Sequence, residues 1–205
     1  METLKIDSLL NEKGLDSGEL QKLADTIMKE YCIDNGLYLY YPIEIEFYIY
    51  NKDKHPDRHV YPRIDKHSWD LFFHYSGMDI CFESTEGCFG GILIRALERM
   101  NKKDGSKLLF GGPLVCVNEV LNSADGICEV KPTKTKLDKE AVPFGRRVGI
   151  KALKNKEDKY FNKEYRFVRE DINEKSTFAS RNAYNFDNNT FETKASSYKI
   201  EEYIE

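Results

Sequence analysis

The chain has 205 residues, is 40% hydrophobic and 13% aromatic, and carries a formal charge of −4. That suits one substantial domain with its own core and excludes a fibrous or wholly disordered protein. No apolar run reaches the roughly 20 residues of a membrane-spanning helix, and five cysteines, an odd number, do not make a secreted disulfide framework. Cys81 and Cys88 could face each other across a hairpin, but buried thiols are the expectation. Met1–Asn11 is amphipathic and acid-bearing, unlike a signal peptide, so a cytoplasmic location is expected.

Met1–Gly14 is a short amphipathic lead with room for a helical turn. Asp16 stands three residues before Glu19, a capping-box spacing, and Leu20, Leu23, Ala24, Ile27, Met28 and Tyr31 recur at helical spacing. An amphipathic helix over Ser17–Tyr31, ended by Asn35-Gly36, is expected. Leu37–Tyr50 (LYLYYPIEIEFYIY) is strand by composition. Its second half alternates, with Glu44, Glu46 and Tyr48 on one face and Ile45, Phe47 and Ile49 on the other. Facing solvent, the acids are ordinary surface residues. Facing a cleft, they are a candidate catalytic carboxylate with an aromatic neighbour.

Asn51–Trp69 is a long polar connection holding His55, His59 and His67. Loops this long in compact domains are often functional. Pro56 spoils a helical His55/His59 metal pair and no cysteine lies close by, so no metal site is expected. The histidines belong to a polar cleft or to the surface.

Phe72–Glu98 is the centre of the chain. Two apolar runs, Phe72–Phe82 and Phe89–Leu97, flank the turn-like Glu83–Cys88 and are expected to pair as a central hairpin. Arg95 sits among Leu93, Ile94, Ala96 and Leu97. A charge there is either a structural ion pair or part of a polar cleft. Asn101–Phe110 is polar with a turn. Gly112-Pro113 opens a helix over Leu114–Leu121 whose start suits an anion. Ile127–Val130 reads as an edge strand and Tyr165–Val168 as a short strand. Residues 1–170 make a single domain and 171–205 a polar extension, with loop over Asn173–Ser197 and a docking helix at the end.

Lys131–Arg169 holds 13 Lys or Arg against 5 Asp or Glu, a local charge of +8, so the rest of the chain sums to −12. This is either a solvated lysine-rich surface or a basic face for nucleic acid. In the second case Arg146, Arg147 and Lys151 are the candidate phosphate contacts.

Six segments, taken in order, resemble the motifs of the alkyladenine (3-methyladenine) DNA glycosylase family: Glu44-Ile45-Glu46-Phe47-Tyr48, Tyr75-Ser76-Gly77-Met78, Ile94-Arg95-Ala96-Leu97-Glu98, Gly112-Pro113-Leu114, Arg147-Val148-Gly149-Ile150 and Tyr165-Arg166-Phe167-Val168. The resemblance runs from about Leu20 to Val168. It implies an α+β fold, a single domain around a curved, mainly antiparallel β-sheet with flanking helices, which holds DNA on one face. Such proteins flip a damaged purine out of the duplex and hydrolyse its N-glycosidic bond with an activated water, in base excision repair, without metal or other cofactor. By position, Glu46 matches the water-activating glutamate and Arg95 the arginine that helps hold the water. Tyr48 and Phe73 match the aromatics that sandwich the base, and His55 and His59 bracket a pocket histidine. Ser76, Gly77 and Met78 fall where the family meets DNA. A monomer is expected.

The residue chemistry agrees with that resemblance. An arginine beside a carboxylate favours its ionised form. Aromatic faces attract a cationic alkylated base, itself a good leaving group, so one carboxylate suffices and Glu44 is a spectator or supporting partner. Two positions depart from the family. Its wedge tyrosine is Ser76 here, with Tyr75 one residue earlier and expected to point the other way. Its pocket asparagine is Glu83 here, a second negative charge. A second reading is therefore a catalytically inactive module of the same fold that binds nucleic acid or a nucleotide-like ligand, and a third is a tyrosine-rich interaction domain.

Overall fold

The structure, a computed structural model, describes residues 1–63, 65–134, 136–151, 153 and 158–171, and the backbone at 184–185 and 190–191. A curled antiparallel sheet forms a half-barrel, with two helices among the described residues, in a mixed α+β fold.

A 3-10 turn at Ile6–Leu9 and the short strands β1 (Leu10–Asn11) and β2 (Gly14–Leu15) lead into α1 (Ser17–Glu30). The Asp16 carboxylate caps α1, accepting from the N–H groups of Gly18 at 2.8 Å and Glu19 at 3.2 Å. The reciprocal half of a capping box does not form, because the Asp16 N–H donates to the Leu9 carbonyl and Glu19 pairs with Lys22. The helix stops before Asn35-Gly36. Tyr31–Asp34 is strand β3, which pairs with β4 (Tyr38–Asn51), so Asn35-Gly36 turns a hairpin instead.

Next come β5 (Leu71–His74), β6 (Gly77–Cys81), β7 (Cys88–Asn101), β8 (Lys107–Gly111), α2 (Pro113–Asn122), β9 (Glu129–Pro132), β10 (Ala141–Gly145) and β11 (Arg166–Arg169). Two short strands, β12 (Tyr184–Asn185) and β13 (Thr190–Phe191), pair with each other. The rest of the expected C-terminal loop and docking helix lies outside the described residues. The apolar run Phe72–Phe82 is two strands rather than one. Tyr75-Ser76 turns the chain, and Gly77 follows at φ +151°, where a Cβ would lie 2.8 Å from side-chain atoms of both Leu93 and Pro113.

β4 and β7 form the spine, paired from Tyr38↔Asn101 to Asn51↔Cys88. Each divides its other edge between two partners: β4 between β3 and β11, β7 between β8 and β6. Pro42, which has no N–H to donate, falls between the two partners of β4, and the β4–β7 register shifts around Glu44. On β7, pairing with β6 reaches Leu93 and pairing with β8 begins at Ala96, so Arg95 stands in the fork. Its carbonyl accepts from the Gly112 N–H at 2.8 Å, which fixes the start of α2 there.

The main core gathers Ile45, Phe47 and Ile49 of β4 with Ile80, Ile92, Ile94 and the buried stripe Leu20, Ala24, Ile27 and Met28 of α1. The apolar half of the β4 alternation is therefore spent on the core. All five cysteines are free thiols. Among the described residues, no helix is long and apolar enough to cross a membrane.

Candidate functional site

The acidic face of β4 does not meet solvent. Glu44 and Glu46 are 1% and 0% exposed. Arg95 reaches them diagonally from β7, its Nε 2.8 Å from Glu44 Oε1 and 3.3 Å from Glu46 Oε1. Arg166 on β11 places its Nε 2.7 Å from the same Glu44 oxygen. Two acids and two arginines thus balance locally, the condition under which buried ions are tolerated. Glu46 gains two more donors: the Val148 N–H at 2.7 Å on Oε1 and the Tyr48 hydroxyl at 2.9 Å on Oε2. Burial disfavours charge on Arg95, but Glu46 and Glu44 outweigh it and raise its pKa above the ordinary arginine range. Burial, reinforced by Glu46, pushes the Tyr48 hydroxyl well above its usual value, so it remains a donor.

Above this cluster opens a cavity of about 260 Å³, lined by Tyr48 and Arg95 from the spine, His59 and Tyr61 from the long loop, and His74 and Ser76 from the β5–β6 hairpin, with Val148-Gly149-Ile150 at another side. Glu46 lies one layer beneath and connects to it through Tyr48 and Arg95. His59 Nε2 is 2.7 Å from Asp158 Oδ2. Burial alone would raise the Asp158 pKa, but the His59 contact and the N–H groups of Leu153 and Tyr160 bring it below the ordinary carboxylate range.

Several sequence expectations land elsewhere. Of the two bracketing histidines, His59 lines the cavity, whereas His55 is buried beside it, its ring 4.5 Å from Tyr160 and 5.7 Å from Tyr165. Burial lowers the His55 pKa to about 4. Phe73 is 37% exposed and is not a lining residue; strand alternation gives that place to His74. Glu83 sits at the surface with His67 at 3.2 Å and the Ser68 N–H at 3.0 Å, so it adds no charge beside Glu46. The Ser68 N–H, then His67, lower its pKa. Ser76 lines the cavity, while Met78 is fully buried in the core and is not a lining residue.

Arg146 and Arg147 are buried rather than on a basic face. Arg147 pairs with Asp57 at 2.8 Å and lies 4.7 Å over the Tyr48 ring, and Arg146 lies 4.3 Å over Phe161. Arg166 and Arg169 are also buried, against Glu44 and Glu98. Three of these four arginines thus turn inward toward acids from elsewhere in the chain, and among the described residues of the stretch Lys151, Lys159 and Lys163 are exposed. Tyr75 is 79% exposed on the β5–β6 turn, where strand alternation does not apply, and its hydroxyl meets that of Tyr61 at the cavity mouth.

The lining also includes Arg63, His74 and Asp79, to which the sequence motifs give no place in the pocket. Arg63 donates through Nη2 to Asp79 Oδ2 and through Nη1 to the Tyr61 carbonyl at 2.7 Å. His74 Nε2 stands 3.3 Å from Asp79 Oδ1, and its Nδ1 accepts from the Ser76 N–H at 3.2 Å. Asp79 carried a signal, a lone charge in the apolar run Met78-Asp79-Ile80-Cys81, the same pattern that singled out Arg95. Gly91 makes room for the pair, since a Cβ there would lie 2.8 Å from Asp79 Oδ2.

No protein-family model matches the chain, and no curated protein matches it either.

Proposed function

We propose that the protein is a DNA glycosylase that hydrolyses the N-glycosidic bond of alkylated purines, and that its half-barrel is of the alkyladenine-glycosylase type. One observation carries this reading: the Glu46 carboxylate, held by Arg95, the Val148 N–H and the Tyr48 hydroxyl, lies directly beneath a cavity walled by aromatic rings. The base enters against Tyr48, Tyr61 and His74, whose π-faces attract a cationic ring. Water attacks C1′ of the sugar, the C1′–N bond breaks, and its electron pair leaves with the base, neutralising the positive charge of the alkylated ring. Glu46 takes the water's proton. The Tyr48 hydroxyl, already donating to Glu46, provides a relay from the cavity to the buried carboxylate. Arg95 holds the carboxylate in place. DNA phosphates fall to exposed lysines such as Lys151, Lys159 and Lys163.

The test is release of free base from methylated duplex and single-stranded DNA by the purified protein. Glu46→Gln keeps the shape and removes the base, and release is expected to fall about 10²–10⁴-fold while DNA binding persists. Near-wild-type release by Glu46→Gln removes Glu46 from the mechanism. Wild type that binds alkylated DNA without releasing any base replaces the enzyme with the binding module.

A further inference from the structure

The part of the cavity wall on β6, where Asp79 pairs with the same Leu93 of β7 that Glu46 faces from β4, holds a second charged cluster to which the proposed hydrolysis gives no role. Asp79, Arg63 and His74 have side chains 1%, 1% and 9% exposed. Three of their polar atoms, Arg63 Nε, His74 Nε2 and Asp79 Oδ1, have no hydrogen-bond partner among the described residues. His74 Nε2 and Asp79 Oδ1 are 3.3 Å apart but not aligned for a hydrogen bond. Buried polar groups are ordinarily satisfied, and several unsatisfied ones on one cavity wall point to a ligand that completes them.

We infer that Asp79 and His74 read the six-membered-ring edge of the bound purine, resting on the glycosylase reading of the same cavity. The protonation pattern follows from the neighbours. Because His74 Nδ1 accepts from the Ser76 N–H, the ring proton sits on Nε2, which is therefore a donor. Asp79 has one oxygen held by Arg63 and the other, Oδ1, left as an acceptor. A tilt of the His74 ring about its broad terminal torsion, small enough to keep the Ser76 N–H on Nδ1, uncovers Oδ1 and turns Nε2–H toward the same ligand. The pair then offers one acceptor beside one donor. The matching edge is an N–H donor next to a carbonyl or ring-nitrogen acceptor: N1–H with O6 in a guanine-type base, or an exocyclic amino group with N1 in an adenine-type base. A base whose N1 and N6 are bridged by an etheno group has no donor there and leaves Asp79 Oδ1 unmatched.

The experiment compares two oligonucleotides, one carrying 7-methylguanine and one carrying 1,N6-ethenoadenine, with wild type, Asp79→Asn and His74→Phe. The quantity read is the ratio of the two release rates from one preparation, so a lower folded fraction in a variant cancels. Asp79→Asn is expected to shift the ratio about 10–100-fold toward the etheno base, the value of one buried hydrogen bond to a charged group. His74→Phe keeps the ring, which stacks on Phe72, and is expected to shift it in the same direction by less. Equilibrium binding of the same oligonucleotides gives a second ratio that needs no catalysis. If wild type releases neither base, the glycosylase reading falls, and a binding preference that Asp79→Asn abolishes still supports the edge reading. Unchanged ratios in both variants, by release or by binding, overturn it.

Discussion

The cavity has two ionic walls that differ in completeness. On β4 and β7, both Glu46 oxygens meet donors, and Glu44 and Glu46 are balanced by Arg95 and Arg166. On β6 and the loop before β5, Arg63 and Asp79 hold each other but leave polar atoms unmatched among the described residues. Each unmet buried group costs about 1–3 kcal/mol. The first wall is thus part of what holds the sheet together, whereas the second is held in place by the sheet around it. A carboxylate that must act on water gains from being fixed beforehand. A recognition edge gains from completion only by the right ligand.

The sharpest way to break this comparison is to open the closed wall. Arg95→Ala leaves Glu44 with Arg166 and Glu46 with neutral donors only, so one buried carboxylate is uncompensated. The expected loss is about 3–5 kcal/mol of unfolding free energy, measured by denaturant titration. His74→Phe, on the wall already incomplete, removes an unmatched Nε2 without stranding a charge and is expected to cost less. Equal losses would mean that the two walls do not differ in the way the hydrogen bonds indicate.

A smaller effect tests the layer behind the closed wall, where Arg147 covers Tyr48 and His55 packs beside it. Burial first, and Arg147 among the neighbouring cations, lower the His55 pKa to about 4. The unfolded chain takes up this proton below about 6.5, the folded protein only below about 4. Between those values the unfolded state holds more protons, so stability falls as pH drops from about 6.5 to 4, by up to about 3 kcal/mol, with nothing further lost below. His55→Phe keeps a ring against Tyr160 and removes the titration. The stability difference between wild type and variant is expected to shrink or reverse between pH 7 and pH 4.5, and a constant difference would show that His55 is not held neutral.

How much of this was legible beforehand follows from what each residue's position depends on. The shared face of Glu44, Glu46 and Tyr48 is a consequence of strand period alone, and it holds. So does the cap at Asp16, a local hydrogen-bond preference. The hairpin at Tyr75-Ser76 was read through because its flanks are apolar on both sides; Gly77 was the available cue. Phe73 rests on the motif match alone, and the alternation along β5 puts its neighbour His74 in the cavity wall instead. The arginines from Arg146 to Arg169 were misplaced for a different reason. Net charge along a stretch says nothing about distant acids, and Asp57, Glu44 and Glu98 draw Arg147, Arg166 and Arg169 inward. Only the tertiary pairing reveals that.

The smallest expected effect sharpens the comparison from the open side without touching a charged residue. Gly91 on β7 faces the Arg63–Asp79 pair. A methyl group there would lie 2.8 Å from Asp79 Oδ2, 2.9 Å from Asp79 Cβ and 3.1 Å from Arg63 Nε, so these side chains must shift by a few tenths of an ångström. Overpacking of this kind costs about 1–3 kcal/mol, or a lower melting temperature by roughly 2–4 °C per kcal/mol for a chain of this size. The neighbouring Gly90 provides the contrast. There the methyl would press 2.5 Å against the Tyr48 carbonyl, a backbone atom of the β4–β7 ladder that does not yield, and the closed wall would be disturbed. Gly91→Ala is therefore expected to lower stability modestly and to move the 7-methylguanine to ethenoadenine ratio in the same direction as Asp79→Asn, with the rate on the etheno base nearly kept. Gly90→Ala is expected to lower stability further and depress release of both bases together. If Gly91→Ala instead leaves both the ratio and the melting temperature at wild-type values, Asp79 is not confined by β7, and its unmatched oxygen is free to satisfy itself without a ligand.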